Sequence, residues 1–577
     1  MSSILQTLVS PYARSITGQF LRKTQQANRV QRAFLLSLVR RHQNTEFGRR
    51  YQFNQIRSVE EFLARVPVLS YRDHQPYTEK IARGESNVLT SDRVVYMNMT
   101  SGSTGQKKLI PVTARSQRMR NKAHRTGLCF GLEALRTTGR SLGKILVTSA
   151  MEWFGETEGG IPYGPVSANH LRNADALERH LFAHPYDALA PSDNLARHYV
   201  CLLFALNNPN TRFIGANFPV LALQLAQYLE AYADSLIDDL ERGTIAPWLN
   251  LEPHLRSRLE RQLSPTPQRA RQLRQIRDRT GRLTPILAWP DLSLVTTALG
   301  GTSDFYLQRF PEYFGDIPVF GGIYSSSETA FGIYRDFNDS GSILAIESGF
   351  FEFVPSSQWN VEQPTTLLAE EVQIGQHYRI LITNYNGLYR YDIGDVVEVV
   401  GFCHKTPVIT FRHRRGGLLS STSEKTTEFH AIQVMKQLQQ DFDIALTNFC
   451  ITLSENETPP SYLVNIELSP GQTLKDPQAF LEQFDRHLQE IHTSYAFKRR
   501  SQVPPPRLRV LASGSFELVR QRLLQRGIPE HHLKFPHISE DRQFLTGVAI
   551  EQEVYLSVNC SSFRRFKNEM QHRWVYE

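Results

Sequence analysis

The sequence has no cysteine pair, no apolar run of membrane length and, ahead of Glu46, no acidic side chain at all. Its five cysteines (Cys129, Cys201, Cys403, Cys450, Cys560) are odd in number and widely scattered, with no CxxC spacing. That excludes a disulfide framework and a paired-cysteine zinc site, and it suits a reducing, cytoplasmic setting. The longest apolar stretches, such as KILVTSA at 144–150, fall far short of the roughly 20 residues a membrane-spanning helix needs. HExxH is absent, which removes the simplest metalloprotease reading.

What is present is a chain of 577 residues, 41% apolar and 21% charged, long enough to bury a large core without staples and too apolar to be disordered. Basic residues outnumber acidic ones 65 to 57, a net charge of +8. Seven of the cations (Arg14, Arg22, Lys23, Arg29, Arg32, Arg40, Arg41) fall in the acid-free N-terminal stretch, whose composition is that of a transit peptide. Its apolar periodicity, through Phe20, Val30, Phe34, Leu35 and Val39, predicts a basic surface helix over about 18–41 instead. Nine arginines crowd 255–282. Leu255, Leu259 and Leu263 recur there at helical spacing and no aromatic is interleaved for base stacking, so a solvated helical face is expected and nucleic acid is not.

From Glu46 to about 425, strands alternate with helices: strands at 93–99, 108–113, 144–150 and 211–216, helices at 114–135, 194–206 and 219–241. This predicts an α/β fold with a largely parallel sheet. From Ile343 the texture becomes strand-rich and turns at Asn-Gly and Gly-Asp, which predicts a small antiparallel β subdomain. The polar, basic, Gly/Ser-rich stretch RHRRGGLLSSTSEKTTE (412–428) reads as a hinge. Beyond it, strands near 446–453, 462–468 and 508–513 and helices near 476–491 and 515–526 form a smaller α/β domain. The expected domains are therefore 1–425 and 426–577.

Three segments carry chemistry. Thr100-Ser101-Gly102-Ser103-Thr104-Gly105, followed by Lys107 and Lys108, lies between two predicted strands. Its glycines allow close backbone approach and its N–H groups and hydroxyls can cradle phosphates. It is not a Walker A loop, because the GxxxxGK[ST] spacing is missing and a strand, not a helix, follows. Next, IYSSSETAFGIY (323–334) puts the aromatic Tyr324 at a strand end, where it can stack on a base. Ser326, Ser327 and the carboxylate of Glu328 follow, and such a carboxylate can hold Mg²⁺ beside phosphates. In GLYRYDIGDVVEVVGF (387–402), Asp395 or Asp392 can accept from both hydroxyls of a ribose. Each segment taken singly also admits a plain structural reading as a turn or hairpin.

Their combination and order resemble the adenylate-forming superfamily of acyl-CoA synthetases and luciferases. The closer similarity is to the auxin-responsive (Gretchen Hagen) acyl acid amido synthetases. It extends through NTEFGRRYQF (44–53), VPVLSY (66–71), PYTEKIARGE (76–85), FFEFVP (350–355), EKTTE (424–428) and LRVLASGSFELVRQRLLQRGIPEHHLKFPHI (508–538), covering the chain from about residue 18. The resemblance implies ATP and Mg²⁺ as cofactors. Thr100, Ser101, Gly102, Ser103, Thr104, Gly105 and Lys108 would form the phosphate loop, Tyr324 would flank the adenine, and Ser326, Ser327 and Glu328 would face the nucleotide, Glu328 with the metal. Asp395 would hold the ribose, and Lys534 would be a catalytic lysine brought in by a mobile C-terminal domain. Two departures stand out. The phosphate loop is one residue shorter between its glycines than in the plant proteins, and His537 stands where an arginine is usual.

The implied reaction is ATP-dependent adenylation of a carboxylic acid followed by transfer of the acyl group to an amine, an amino acid, with release of AMP and pyrophosphate. The partners are small molecules, with neither nucleic acid nor membrane among them. The competing enzyme reading is an acyl-CoA ligase with a thiol acceptor, and a reading from another class is a basic nucleic-acid-binding protein. The acyl-pocket wall is expected around 151–165, where Trp153, Phe154 and Gly159-Gly160 suggest a shaped cleft.

Overall fold

The computed structural model describes residues 2–101, 107–151, 154–172, 179–301, 303–359, 361–414, 418–422, 424–455, 457, 459–499, 502–525 and 535–556. The chain divides into two compact units, Met1–Arg412 and His413–Glu577.

In the first unit, the alternating strands and helices make a parallel four-stranded sheet in chain order: Lys144–Val147, Thr211–Gly215, Leu294–Thr296 and Val319–Phe320. Helix Asn194–Asn207 lies between its first two strands in sequence and is buried along nearly its whole length, as the crossover of a parallel pair must be. The stretch expected as one helix over 219–241 is two, Pro219–Ala231 and Ala233–Arg242, interrupted at Tyr232.

The antiparallel part is larger than the sequence pattern suggests. It has seven strands and starts at Ile323 rather than Ile343. Its order is Phe350–Pro355, His377–Thr383, Tyr391–Cys403, Thr406–Arg414, Ser342–Leu344, Ala330–Tyr334 and Ile323–Ser325. The strand end at Tyr324 is legible but its membership of this sheet is not, while Ala330–Tyr334, buried on both faces, lacks the polar alternation of a half-exposed strand. A third sheet pairs Val94–Ser101 with Lys107–Thr113 in an antiparallel hairpin, with Thr100 opposite Lys108 and Ser101 opposite Lys107.

The basic N-terminus is helical but broken: Ser2–Thr24 and Ala27–Arg41 are separate helices. The carbonyl of Thr24 accepts from Lys405 N and from the Thr406 hydroxyl, which satisfies one of the orphan acceptors at the first helix's end. The second helix is docked, not merely lying on the surface. The Gln31 amide donates to the carbonyls of Ile346 and Gly349 and accepts from Phe351 N–H, while Phe34, Leu35, Leu38 and Val39 enter a core with Phe47, Phe53, Phe62, Phe350 and Tyr389. At its centre Phe47 stacks on Tyr389 at 4.6 Å and 16°. Truncating such a fully buried ring costs about 3–5 kcal/mol.

The arginine-rich stretch forms helices Pro253–Glu260 and Pro267–Thr280 with Leu255, Leu259 and Leu273 buried. Its cations are more engaged than a solvated face would require. Arg269 caps the end of Asn194–Asn207 by donating to Leu206 O, and Arg256 donates to the carbonyls of Ile245, Ala246 and Leu249. Arg274, Arg277 and Arg282 pair with Glu241, Asp234 and Glu230.

The second unit is a four-stranded sheet in the order Leu446–Leu453, Tyr462–Leu468, Arg507–Leu511 and Ile550–Tyr555, its middle pair parallel, with helices Glu428–Asp441, Pro477–Ile491 and Ser515–Gln525. Ahead of them, Leu418–Leu419 pairs with Thr426–Thr427. Glu424, buried between these strands, accepts from Ser421 N, Thr422 N and the Tyr462 hydroxyl. Among the described residues no helix is long and apolar enough to cross a membrane.

Candidate nucleotide site

The site is built where the edge strand Ile323–Ser325 of the seven-stranded sheet gives way to Ser326-Ser327-Glu328. This turn is held by its carbonyls. Arg120, on helix Ala114–Thr137, donates from Nη1 to Ser326 O at 2.8 Å and from Nη2 to Ser327 O at 3.1 Å. Asn98 Nδ2, on the strand that leads to Thr100, donates to Ser327 O at 2.7 Å. Asn384 and Asn386 Nδ2 both donate to Glu328 O, at 3.0 and 2.9 Å. Three successive carbonyls are thus satisfied by side chains from three other elements.

The Glu328 side chain accepts one bond at Oε2, from Ser326 Oγ at 2.7 Å. Its Oε1 accepts none among the described residues. Burial pushes the Arg120 guanidinium down to about 10, while the Glu328 carboxylate favours its charged form. A cavity of about 20 Å³, room for one water, lies between Arg120, Glu328, Ser348 and Asn386. The Oδ1 atoms of Asn98 and Asn386 are buried with no hydrogen-bond partner among the described residues.

Tyr324 is half-buried, stacked on Phe331 at 5.0 Å and 25°. Its hydroxyl donates to Oδ2 of Asp395 at 2.9 Å, and Asp395 is 2% exposed. The structure separates the two candidate aspartates. Asp392 is spent on the fold, paired with the buried Arg379 at 3.0 Å and accepting from Gly394 N at 2.9 Å. Between these motifs Gly387 turns the chain at φ +84°, and a Cβ there would lie 2.6 Å from Leu89 Cβ. Arg390, also at positive φ, forks onto Glu352 while donating to Leu63 and Val66 carbonyls. The adjacent RYD motif is thereby pinned from inside.

Of the phosphate-loop residues, Thr100 and Ser101 end a strand and Lys108 lies in its partner, with Nζ 5.3 Å from the Tyr71 ring. Gly102, Ser103, Thr104, Gly105 and Lys534 lie outside the described residues, as does Trp153. Gly159 owes its small size to backbone packing: a Cβ there would lie 2.3 Å from Gly84 N, and its N–H donates to Ala82 O at 2.8 Å. His537 is fully buried. It stacks on Phe449 at 4.3 Å, and its backbone N–H donates to Glu428 Oε1 at 2.7 Å.

Arg120, Asn98, Asn384 and Asn386 are the residues that sequence reading passed over. The available signal was the pair of asparagines in ITNYNG (382–387), which reads as a turn and belongs to the stretch that carries the family resemblance, with no role attached to either asparagine.

With this geometry in place, comparison with known proteins is direct. The N-terminal, central and C-terminal domains of the GH3 family match residues 16–319, 342–414 and 429–543. The chain is 26% identical over 539 residues to the indole-3-acetic acid-amido synthetase GH3.8 of Oryza sativa subsp. indica, spanning 89% of this chain and 88% of that protein. It is 25% identical over 547 residues to indole-3-acetic acid-amido synthetase GH3.5 of Arabidopsis thaliana, spanning 89% of each. In fold it is similar to AtGH3.15 acyl acid amido synthetase in complex with 2,4-DB, with TM-score 0.82 and 22% identity over 94% of this chain and 97% of that one. A more distant likeness is to 2-hydroxyisobutyryl-CoA ligase in the postadenylation state in complex with 2-HIB-AMP, with TM-score 0.51 and 14% identity over 95% and 91%. The chain belongs to the GH3 family of acyl acid amido synthetases, which are ligases.

Proposed function

We propose that the protein adenylates a small carboxylic acid with ATP and passes the acyl group to the amine of an amino acid, in the cytoplasm. One observation carries the reading. The strand that leads to the phosphate loop is bonded to the serine run, and the serine run's tyrosine to the third motif: Asn98, two residues before Thr100, donates to Ser327 O, and Tyr324 donates to Asp395. A phosphate loop, an aromatic with a carboxylate, and a ribose acceptor are what a nucleoside triphosphate requires.

The residues divide the work. Thr100, Ser101, Gly102, Ser103, Thr104 and Gly105 with Lys108 would grip the phosphates. Tyr324 would flank the adenine, Asp395 would accept from the ribose hydroxyls, and Ser326 and Ser327 would line the nucleotide. Mg²⁺ fits this donor set: Glu328 presents one carboxylate oxygen that accepts no hydrogen bond among the described residues, and Mg²⁺ binds through one or two carboxylates plus substrate phosphates. When bound it would offset phosphate charge. The carboxylic acid attacks the α-phosphorus, pyrophosphate leaves, and the amine then attacks the acyl carbon and expels AMP. No protein side chain becomes covalently attached, so the chain's contribution is alignment and electrostatic stabilisation. Lys534 would neutralise charge in the first half-reaction, carried by the 413–577 unit.

ATP–pyrophosphate exchange across a panel of carboxylic acids tests this. Exchange that depends on a carboxylic acid supports the reading, and ATP cleavage to ADP and orthophosphate overturns it. Lys534→Ala should slow exchange by about 100- to 1,000-fold while sparing aminolysis of preformed adenylate.

A further inference from the structure

We propose that Arg120 is a positioning residue for Glu328, locking the Ser326–Glu328 turn in the conformation that offers the Glu328 carboxylate to a metal–nucleotide complex. This rests on the nucleotide reading above and adds to it a residue outside the three motifs.

The helix carrying Arg120 is shaped for the task. Arg120, Ala123, Gly127 and Gly131 fall on one face of Ala114–Thr137. A Cβ on Gly127 would lie 2.5 Å from Gly322 O, and one on Gly131 would lie 2.9 Å from the Phe320 ring. The two glycines therefore let the helix lie directly on the chain just ahead of the turn, Gly127 against the Gly322 backbone and Gly131 against the Phe320 ring. About two to three helical turns further back on the same face, the planar guanidinium spans two adjacent carbonyls, Ser326 O and Ser327 O. A lysine ammonium, a single compact charge, cannot reproduce that fork. Arg120 and Glu328 also border the same small cavity, so the cation that fixes the backbone stands beside the carboxylate that the turn presents. With the turn's carbonyls tied down, the Glu328 carboxylate is confined to a small range of orientations before any ligand arrives, and such preorganisation appears as affinity.

The test is calorimetric binding of α,β-methylene-ATP with Mg²⁺, which needs neither turnover nor knowledge of the acyl acid. It uses the full-length wild type, Arg120→Gln, Arg120→Lys, Glu328→Gln and the double variant Arg120→Gln/Glu328→Gln, with thermal unfolding of each ligand-free protein alongside. Arg120→Gln should weaken binding about ten- to a hundredfold. The double variant should bind no more weakly than Glu328→Gln alone, because residues acting through one another are non-additive. Arg120→Lys keeps charge and bulk and should still weaken binding several-fold, which serves if Arg120→Gln does not fold. Losses that add in the double variant, or wild-type binding by Arg120→Lys, would overturn the role of Arg120 while leaving the nucleotide reading intact. Wild-type binding by Glu328→Gln would remove the assignment of Glu328 itself and the role of Arg120 with it.

Discussion

The hydroxyl of Tyr324 donates to the carboxylate of Asp395 at 2.9 Å, joining the edge strand of the seven-stranded sheet to a central strand 71 residues further along the chain. The bond fixes the orientation of a carboxylate that the proposed function assigns to ribose. Tyr324→Phe keeps the aromatic face and removes only the hydroxyl. It should raise the KM for ATP about tenfold, the worth of one hydrogen bond to a charged group, with kcat within about twofold. Steady-state kinetics checks this, and an unchanged KM would show that Asp395 needs no such support.

The two aspartates of RYDIGD should separate by assay. Asp392→Asn breaks a buried pair with Arg379 and should cost about 3–5 kcal/mol of unfolding free energy, with nucleotide affinity of the folded protein little changed. Asp395→Asn should do the reverse. Chemical denaturation and nucleotide binding measured on both variants make the comparison.

Gly387→Ala forces a side chain into a left-handed turn at φ +84° and against Leu89 Cβ and backbone. The expected loss is about 1–2 kcal/mol from the dihedral plus about 1–3 kcal/mol from the overlap, read as a lowered denaturation midpoint.

Acid should destabilise both units. Burial lowers His42 and His74 in the first unit and His537 in the second to about 4, from an ordinary value of 6.5. Between these values the unfolded chain binds the protons and the folded chain does not. Stability is therefore full above about pH 6.5 and falls as the pH drops toward 4. Urea midpoints measured across that range should decline. Replacing His537 by Gln should flatten the decline for the second unit, although the stacking on Phe449 is lost at every pH.

Much of this was legible in the sequence, for identifiable reasons. The strands of the parallel sheet and the helices between them are marked by periodicity, and the three candidate nucleotide motifs by residue types that have few other uses in that order. The single helix expected over about 18–41 is instead the end of Ser2–Thr24 and the whole of Ala27–Arg41. The break at Gln25-Gln26 escapes the pattern because it involves residues of good helix propensity and depends on the 404–406 hairpin capturing Thr24 O. Arg120 was hidden among six cations in one helix, since a side chain that binds backbone carbonyls leaves no spacing rule behind. By residue type Asp392 and Asp395 are equivalent; only the family resemblance singles out Asp395, and Arg379 beside Asp392 supplies the physical difference. Gly159 suggested a pocket wall when its smallness answers to Gly84.

The central claim is amide formation through an acyl-adenylate. Mass spectrometry of the protein incubated with ATP, Mg²⁺, a panel of carboxylic acids, mixed amino acids and coenzyme A measures it directly. The account predicts an N-acyl amino acid formed together with AMP and pyrophosphate. Thioester as the sole acyl product, or ADP in place of AMP, would contradict it.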